Sequence, residues 1–268
     1  MAVFILSLII LFHRRFRTGR QPSKLCRHRL TRTVHKFARR DRQISNPDKI
    51  TLPIFENFYN LDVCGYFSIM GTVSQFFFLY SSIIGCFNDS IDISTVDMLT
   101  AGTYASVVIV EWALSLLLNH LEKLEKAKAE NESIVGNDSL VDESDLSKLH
   151  YIQAIISETF RLFPAAPLLL PHESSYNCNI GGYDILRGTI VLVNAWSIHR
   201  DPMIWDDPTS FKLKRFVVGE VGPSKLLPFG MGMRSCPSVV LGQRVVGLAL
   251  GFLIQCFEWQ MIDEENVD

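Results

Sequence analysis

The chain has 268 residues, 48% of them hydrophobic and 20% charged, which excludes a disordered polymer and leaves room for one large or two ordinary domains. The net charge of −2 conceals an uneven distribution: twelve of the 26 Lys and Arg residues lie between Arg14 and Arg42, where Asp41 is the sole acid. The remainder is net acidic, and the basic block carries neither aromatic interleaving nor a binding motif, so a nucleic-acid partner is not expected.

Ala2 to Phe12 is an apolar run too short to span a bilayer, which takes roughly 17–25 residues. It suits a signal core or the stub of an anchor. The basic block behind it suits a stop-transfer flank, a membrane-surface patch, transit-like sequence or a solvated tail. Val63 to Phe87 contains no charged residue and is long enough to span a bilayer, although Ser, Thr, Gly and Gln dilute it. A buried segment is the competing reading.

Val96 to Asn119 carries almost no charge beyond Asp97 and Glu111 and reads as a long, largely buried helix. His120 to Asp145 is charged and contains Gly136-Asn137, which suggests a helix end and a loop. In Leu146 to Phe163, residues Leu149, Ile152, Ile155, Ile156 and Phe160 recur at helical spacing until Pro164 stops the helix. Asn179 to Tyr183 reads as a hairpin turn and the β-branched run Thr189 to Asn194 as a strand. A Pro- and Asp-rich loop covers Asp201 to Pro208. The last element, Val239 to Trp259, is apolar nearly all round and reads as a buried helix.

Six cysteines, at 26, 64, 86, 178, 236 and 256, form no CxxC pair and no zinc spacing, and their apolar surroundings favour reduced thiols. The sequons at Asn88, Asn131 and Asn137 matter only in a segment that enters a secretory lumen.

The chemistry concentrates in Phe229-Gly230-Met231-Gly232-Met233-Arg234-Ser235-Cys236, directly before the last helix. A cysteine at a helix start gains from the backbone N–H groups and the positive dipole end, which favour thiolate. Glycines at 230 and 232 let the backbone approach a flat ligand. Arg234 could pair with an anionic group of that ligand. Taken alone, a single cysteine is more often an ordinary buried thiol.

The stretch resembles the cysteine loop of cytochrome P-450, FxxGxRxCxG, at every defined position except the last, where Ser238 replaces glycine. Three more stretches resemble that family in the same order. Glu158-Thr159-Phe160-Arg161 is similar to its ExxR motif, whose pair joins an arginine from a PERF-like stretch, here Arg215 in Leu213-Lys214-Arg215-Phe216. Leu170-Pro171-His172-Glu173 resembles the strand that sets a His or Arg against a haem propionate. Ala101-Gly102-Thr103-Tyr104-Ala105-Ser106 is similar to the distal AGTDTS, with Tyr104 at the acid position and Ala105 at the threonine position. The text from Gly181 to Pro208, and Glu111 to Ser115, is similar to plant members, notably hydroxylases of isoflavonoids and indole-type specialised metabolites.

The resemblance implies the C-terminal half of a mainly α fold with small β hairpins, its long buried helices ranged around a haem site. It covers about Val96 to Asp263, so residues 1–90 form an unassigned segment and 91–268 a partial haem domain. Whole members are nearly twice as long. The implied cofactor is haem b, its iron ligated by Cys236. Phe229, Gly230, Gly232, Ala101 and Gly102 would line the haem, and Arg234 and His172 would hold its propionates. Glu158, Arg161 and Arg215 would be structural. The implied activity is monooxygenation of a small apolar metabolite, with electrons from NADPH-cytochrome P-450 reductase at the cytosolic face of the endoplasmic reticulum.

Two alternatives stand beside this reading. Tyr104 is a much weaker acid than the family's carboxyl, and Ser106 points about 100° away from Ala105 around a helix. Proton delivery would suffer, leaving a catalytically dead remnant that at most binds haem. The second alternative is a membrane-associated non-enzymatic protein with Val63 to Phe87 as its span.

Overall fold

The computed structural model describes residues 17–18 and 93–260, apart from 137, 218–220 and 223. In chain order the elements are β1 (Arg17–Thr18), α1 (Ile93–Leu118), α2 (Leu121–Ile134), α3 (His150–Leu162), β2 (His172–Glu173), β3 (Cys178–Ile180), β4 (Tyr183–Ile185) and β5 (Ile190–Val191). There follow α4 (Ala195–Ile198), α5 (Lys214–Val217), a 3-10 turn (Gly232–Arg234), α6 (Val239–Cys256) and β6 (Trp259–Gln260). These residues fall into two compact units, one holding 17–18, 93–103 and 256–260, the other 104–255. The boundary expected near residue 90, the run Ala2 to Phe12 and the stretch Val63 to Phe87 lie outside the described residues.

In the first unit β1 pairs antiparallel with β6, Arg17 opposite Gln260 and Thr18 opposite Trp259. Cys256 is disulfide-bonded, which corrects the expectation of reduced thiols at that position. Cys178 and Cys236 are free.

The second unit is built on helices. The middle and end of α1 supply its core through Ile109, Val110, Ala113, Leu114, Leu117 and Leu118. The earlier turn is not buried, since Ala101, Gly102 and Tyr104 are exposed. Trp112 stacks on Phe163 with ring centroids 3.9 Å apart and planes within 3°. Helix α2 corrects the sequence reading of a helix end and loop from His120 to Asp145: a separate helix occupies Leu121–Ile134. Its Glu, Lys and Ala residues are strong helix formers, and Leu124, Ala127 and Asn131 bury one narrow face at helical spacing. That stripe was too thin to register among so many charges.

Helix α3 begins at His150 rather than Leu146, after turns over 143–148. Leu149 offers no side-chain cap. The Glu130 carboxylate of α2 does so instead, accepting the N–H groups of Tyr151 (2.7 Å) and Ile152 (3.1 Å). A negative group also suits the positive end of a helix. Helix α6 runs to Cys256 and is buried from Val246 onward, but Val240 and Leu241 are exposed. Burial throughout was therefore too strong an expectation: Gln243 and Arg244 turn the first half toward solvent. In the buried half, a Cβ on Gly247 would meet Leu146 Cδ2 at 3.2 Å, so glycine permits the close approach of the preceding loop.

Strand β2 pairs with β5, and β3 with β4, all antiparallel. The β3–β4 turn has Gly181 at φ 60° and Gly182 at φ 90°, the left-handed pair that a two-residue hairpin favours. Asn179 Oδ1 accepts the Gly182 N–H at 3.1 Å and fixes it. Of the strand expected from Thr189 to Asn194, only Ile190–Val191 forms. Among the described residues two helical stretches, Ala101–Leu118 and Val239–Cys256, are long and apolar enough to cross a membrane by length and composition, and both are partly packed inside the protein.

Candidate functional site

The amphipathic face of α3 delivers Glu158 and Arg161 to the interior, where both side chains are fully buried. Arg161 uses every donor of its guanidinium. Its Nε and one Nη2 hydrogen reach the two Glu158 oxygens at 2.8 Å each. Its Nη1 donates to the carbonyls of His199 (2.8 Å) and Pro208 (2.6 Å), and Nη2 also donates to Ser210 (3.2 Å). Glu158 accepts the Lys212 N–H at 2.9 Å as well. Such a pair is tolerable inside a protein only because no donor or charge is left over.

Arg215, on α5, brings its Nε to 3.4 Å from Glu158 Oε1 and donates Nη2 to the Asp207 carbonyl at 2.7 Å. The three residues singled out from the ExxR and PERF-like stretches thus meet in one cluster. Losing the proline and glutamate of the latter stretch does not prevent this, since Leu213 fills the core and Lys214 faces solvent.

Leu227 to Cys236 leaves this cluster as a loop. Gly230 (φ 71°) and Gly232 (φ 75°) both adopt the left-handed conformation, which any Cβ would strain. The Cys236 N–H donates back to the Phe229 carbonyl at 2.8 Å, closing the loop on itself. The Phe229 ring meets Phe160 of α3 edge-on, centroids 5.0 Å apart, and lies 3.7 Å from where a Cβ on Gly242 would stand. The side chain thereby wedges the loop between α3 and α6.

The Ser238 carbonyl accepts the Gly242 N–H at 2.8 Å, so helical bonding in α6 starts there, two residues after Cys236. Cys236 is a half-buried free thiol. Arg234 and Met233 on the same loop are exposed. Among the described residues Arg234 has no ion-pair or hydrogen-bond partner.

His172 lies on β2 opposite Val191, half-buried and without a side-chain partner among the described residues. On α1, Tyr104 is exposed while Ser106 is buried, so the two hydroxyls face different surroundings. No cluster of three or more His, Cys, Asp or Glu residues able to hold a bare metal ion occurs among the described residues. A metal at Cys236 would therefore need a prosthetic group to supply its other donors, which is how haem holds iron. The residues present fit that group: one soft thiol, a loop open beside Gly232, and two cationic or neutral donors without partners.

Sequence reasoning missed His199. Its side chain is fully buried, and its Nε2 accepts the Leu227 N–H at 2.8 Å. Burial, together with the positive charge of Arg161, lowers its pKa to about 4, so the ring stays neutral. Only the dipeptide His199-Arg200 before Asp201-Pro202 hinted at it, as part of a longer similarity.

A buried carboxylate–guanidinium cluster bracing a glycine-turned cysteine loop before a long helix defines a thiol-presenting, mainly helical protein. The chain belongs to the cytochrome P450 family, whose model matches residues 86–268, and this is a haem-iron family. Over 171 residues it is 63% identical to cytochrome P450 81Q32 of Catharanthus roseus, covering 64% of this chain and 34% of that one. It is 54% identical over 171 residues to the isoflavone 3'-hydroxylase of Medicago truncatula, with 64% and 34% covered. Among solved structures, a zebra fish cytochrome P450 with progesterone matches at TM-score 0.59 and 33% identity, over 63% of this chain and 39% of that one. The fold class expected from the resemblance is borne out, as is the similarity to plant hydroxylases. The chain spans about a third of the length of the curated relatives it matches.

Proposed function

We propose that this chain carries the proximal part of a haem-thiolate monooxygenase site acting on a small apolar plant metabolite. The observation that carries the reading is the Cys236 loop: a free, half-buried thiol two residues before the helical bonding of α6 begins, on a loop turned by two left-handed glycines. In this reading Cys236 would ligate the haem iron from its place before the N-terminal end of α6. Arg234 and His172 hold the two propionates of haem b. Gly230 and Gly232 would keep the loop backbone clear of the macrocycle. Phe229, Glu158, Arg161 and Arg215 hold the loop in place. Haem iron bound there supplies dioxygen binding and activation, to which the thiolate contributes electron density.

The similarity to an isoflavone 3'-hydroxylase supports a flavonoid-like aromatic substrate. The implied electron donor is NADPH-cytochrome P-450 reductase, which sets the site on the cytosolic side of the endoplasmic reticulum membrane. A reduced, carbon-monoxide difference spectrum of the expressed chain tests the reading, with Cys236→Ala as control. A thiolate-type Soret band that the substitution abolishes supports it; absence of any haem signal overturns it.

Tyr104 and Ala105 favour a second reading, in which haem is held but oxygen is not activated. Ser106 is buried and faces away from the exposed Tyr104, so it is poorly placed to replace the missing acid. Tyr104→Asp combined with Ala105→Thr raises turnover if the lost relay is the obstacle. Unchanged inactivity places the obstacle elsewhere.

A further inference from the structure

We infer that His199 is the positioning residue of the cysteine loop, the point through which the buried Glu158–Arg161 cluster fixes where Cys236 stands. The inference rests on the haem-thiolate reading for its purpose and on hydrogen-bond geometry for its mechanism.

His199 joins the two structures with different atoms. Its backbone carbonyl accepts Arg161 Nη1 at 2.8 Å, and its ring Nε2 accepts the Leu227 N–H at 2.8 Å. Leu227 opens the loop: its carbonyl accepts the Gly230 N–H at 3.2 Å, and two residues beyond it the Phe229 carbonyl takes the Cys236 N–H at 2.8 Å. Three short links therefore run from the ion-pair cluster to the thiol-bearing residue. No other side chain among the described residues accepts a loop N–H between 227 and 236.

The ring is selected for this task at a cost. With Nε2 acting as acceptor, the proton must sit on Nδ1, and Nδ1 is buried without a hydrogen-bond partner. An orphaned buried donor is destabilising, so an apolar residue of similar size would pack better if packing were the ring's role. Retaining the imidazole fits a need for an acceptor at the distance of Nε2 from the backbone. Protonation would convert that acceptor to a donor facing another donor. Arg161 and Arg200 face the ring and oppose it.

His199→Phe keeps the volume and removes the acceptor, whereas His199→Gln places an amide oxygen near the position of Nε2. Amide hydrogen exchange of the whole chain reads the tether without haem. In His199→Phe, exchange at Leu227, Gly230 and Cys236 rises about tenfold relative to amides of α6, the effect of one lost hydrogen bond on local opening. The reduced carbon-monoxide spectrum of the same variant shifts from thiolate-type toward thiol-type, and His199→Gln restores both readouts. Phe and Gln variants that behave alike, or exchange that rises uniformly across the chain, overturn the inference. A selective rise in His199→Phe, with no haem signal from the wild-type chain, upholds the tether and refutes the haem-thiolate reading instead.

Discussion

Replacing Arg161 with leucine tests the buried cluster most directly. The substitution removes five hydrogen bonds and leaves the carbonyls of His199, Pro208 and Ser210 without the donor they share. It also leaves the Glu158 carboxylate fully buried, with only the Lys212 N–H at 2.9 Å and Arg215 Nε at 3.4 Å to offset its charge. Breaking one partner of a buried ion pair costs about 3–5 kcal/mol, mostly through the uncompensated charge. At about 2–4 °C per kcal/mol for a unit of this size, Tm falls by about 6–20 °C. Urea unfolding followed by far-ultraviolet circular dichroism measures the loss. Adding Glu158→Met to the same chain should recover part of it, because the fully buried carboxylate is gone and the Arg215 cation left behind keeps its bond to the Asp207 carbonyl. A single-variant loss below about 1 kcal/mol, or a double variant worse than the single, refutes the reasoning.

Three further outcomes follow from other sites. The His199 ring has a pKa of about 4 when folded and about 6.5 when unfolded, so its contribution to stability is complete above 6.5 and lost as pH falls toward 4. At 1.36 kcal/mol per pH unit that window is worth about 3 kcal/mol, and His199→Gln should flatten the urea-midpoint profile between pH 7 and 4.5 by a comparable amount. Gly230→Ala forces a Cβ into φ 71° and should cost about 1–2 kcal/mol, whereas Gly102→Ala, with open space around it on α1, should stabilise by up to about 1 kcal/mol in the same thermal melt. Asn131 is buried with its Nδ2 bonded to the Gly251 carbonyl at 3.0 Å, so microsomal translation should show no glycan lost on Asn131→Gln.

Much of the site was legible because its residues are tied to backbone requirements. Two left-handed glycines, a cysteine before a helix and an i, i+3 charge pair each leave a local imprint in sequence. Complete burial of the pair left none: the same spacing describes an exposed surface pair, and only the return of 199–210 over α3 distinguishes the two. His199 was opaque for a related reason, since its partners, Arg161 and Leu227, lie 38 and 28 residues away along the chain. The length of helix α2 was opaque because its buried stripe is only Leu124, Ala127 and the polar Asn131, while its charges obey a propensity that the hydrophobic pattern does not record. The packing of the loop phenylalanine in the seam between α3 and α6 left no imprint either, because Phe160 and Gly242 are distant in sequence.

The reach of Arg161 bears on the order of events as the chain folds. Its carboxylate partner is three residues away, yet its remaining acceptors lie 38, 47 and 49 residues downstream. An isolated α3 could form the local pair in water at little gain, and the guanidinium would remain hydrated. Only when 199–210 closes over it are water and charge exchanged for carbonyls, and a loop of that length must close before any reward is collected. The cluster should therefore complete late and all at once, acting as a latch that engages after α3 exists and before the cysteine loop can be drawn into place.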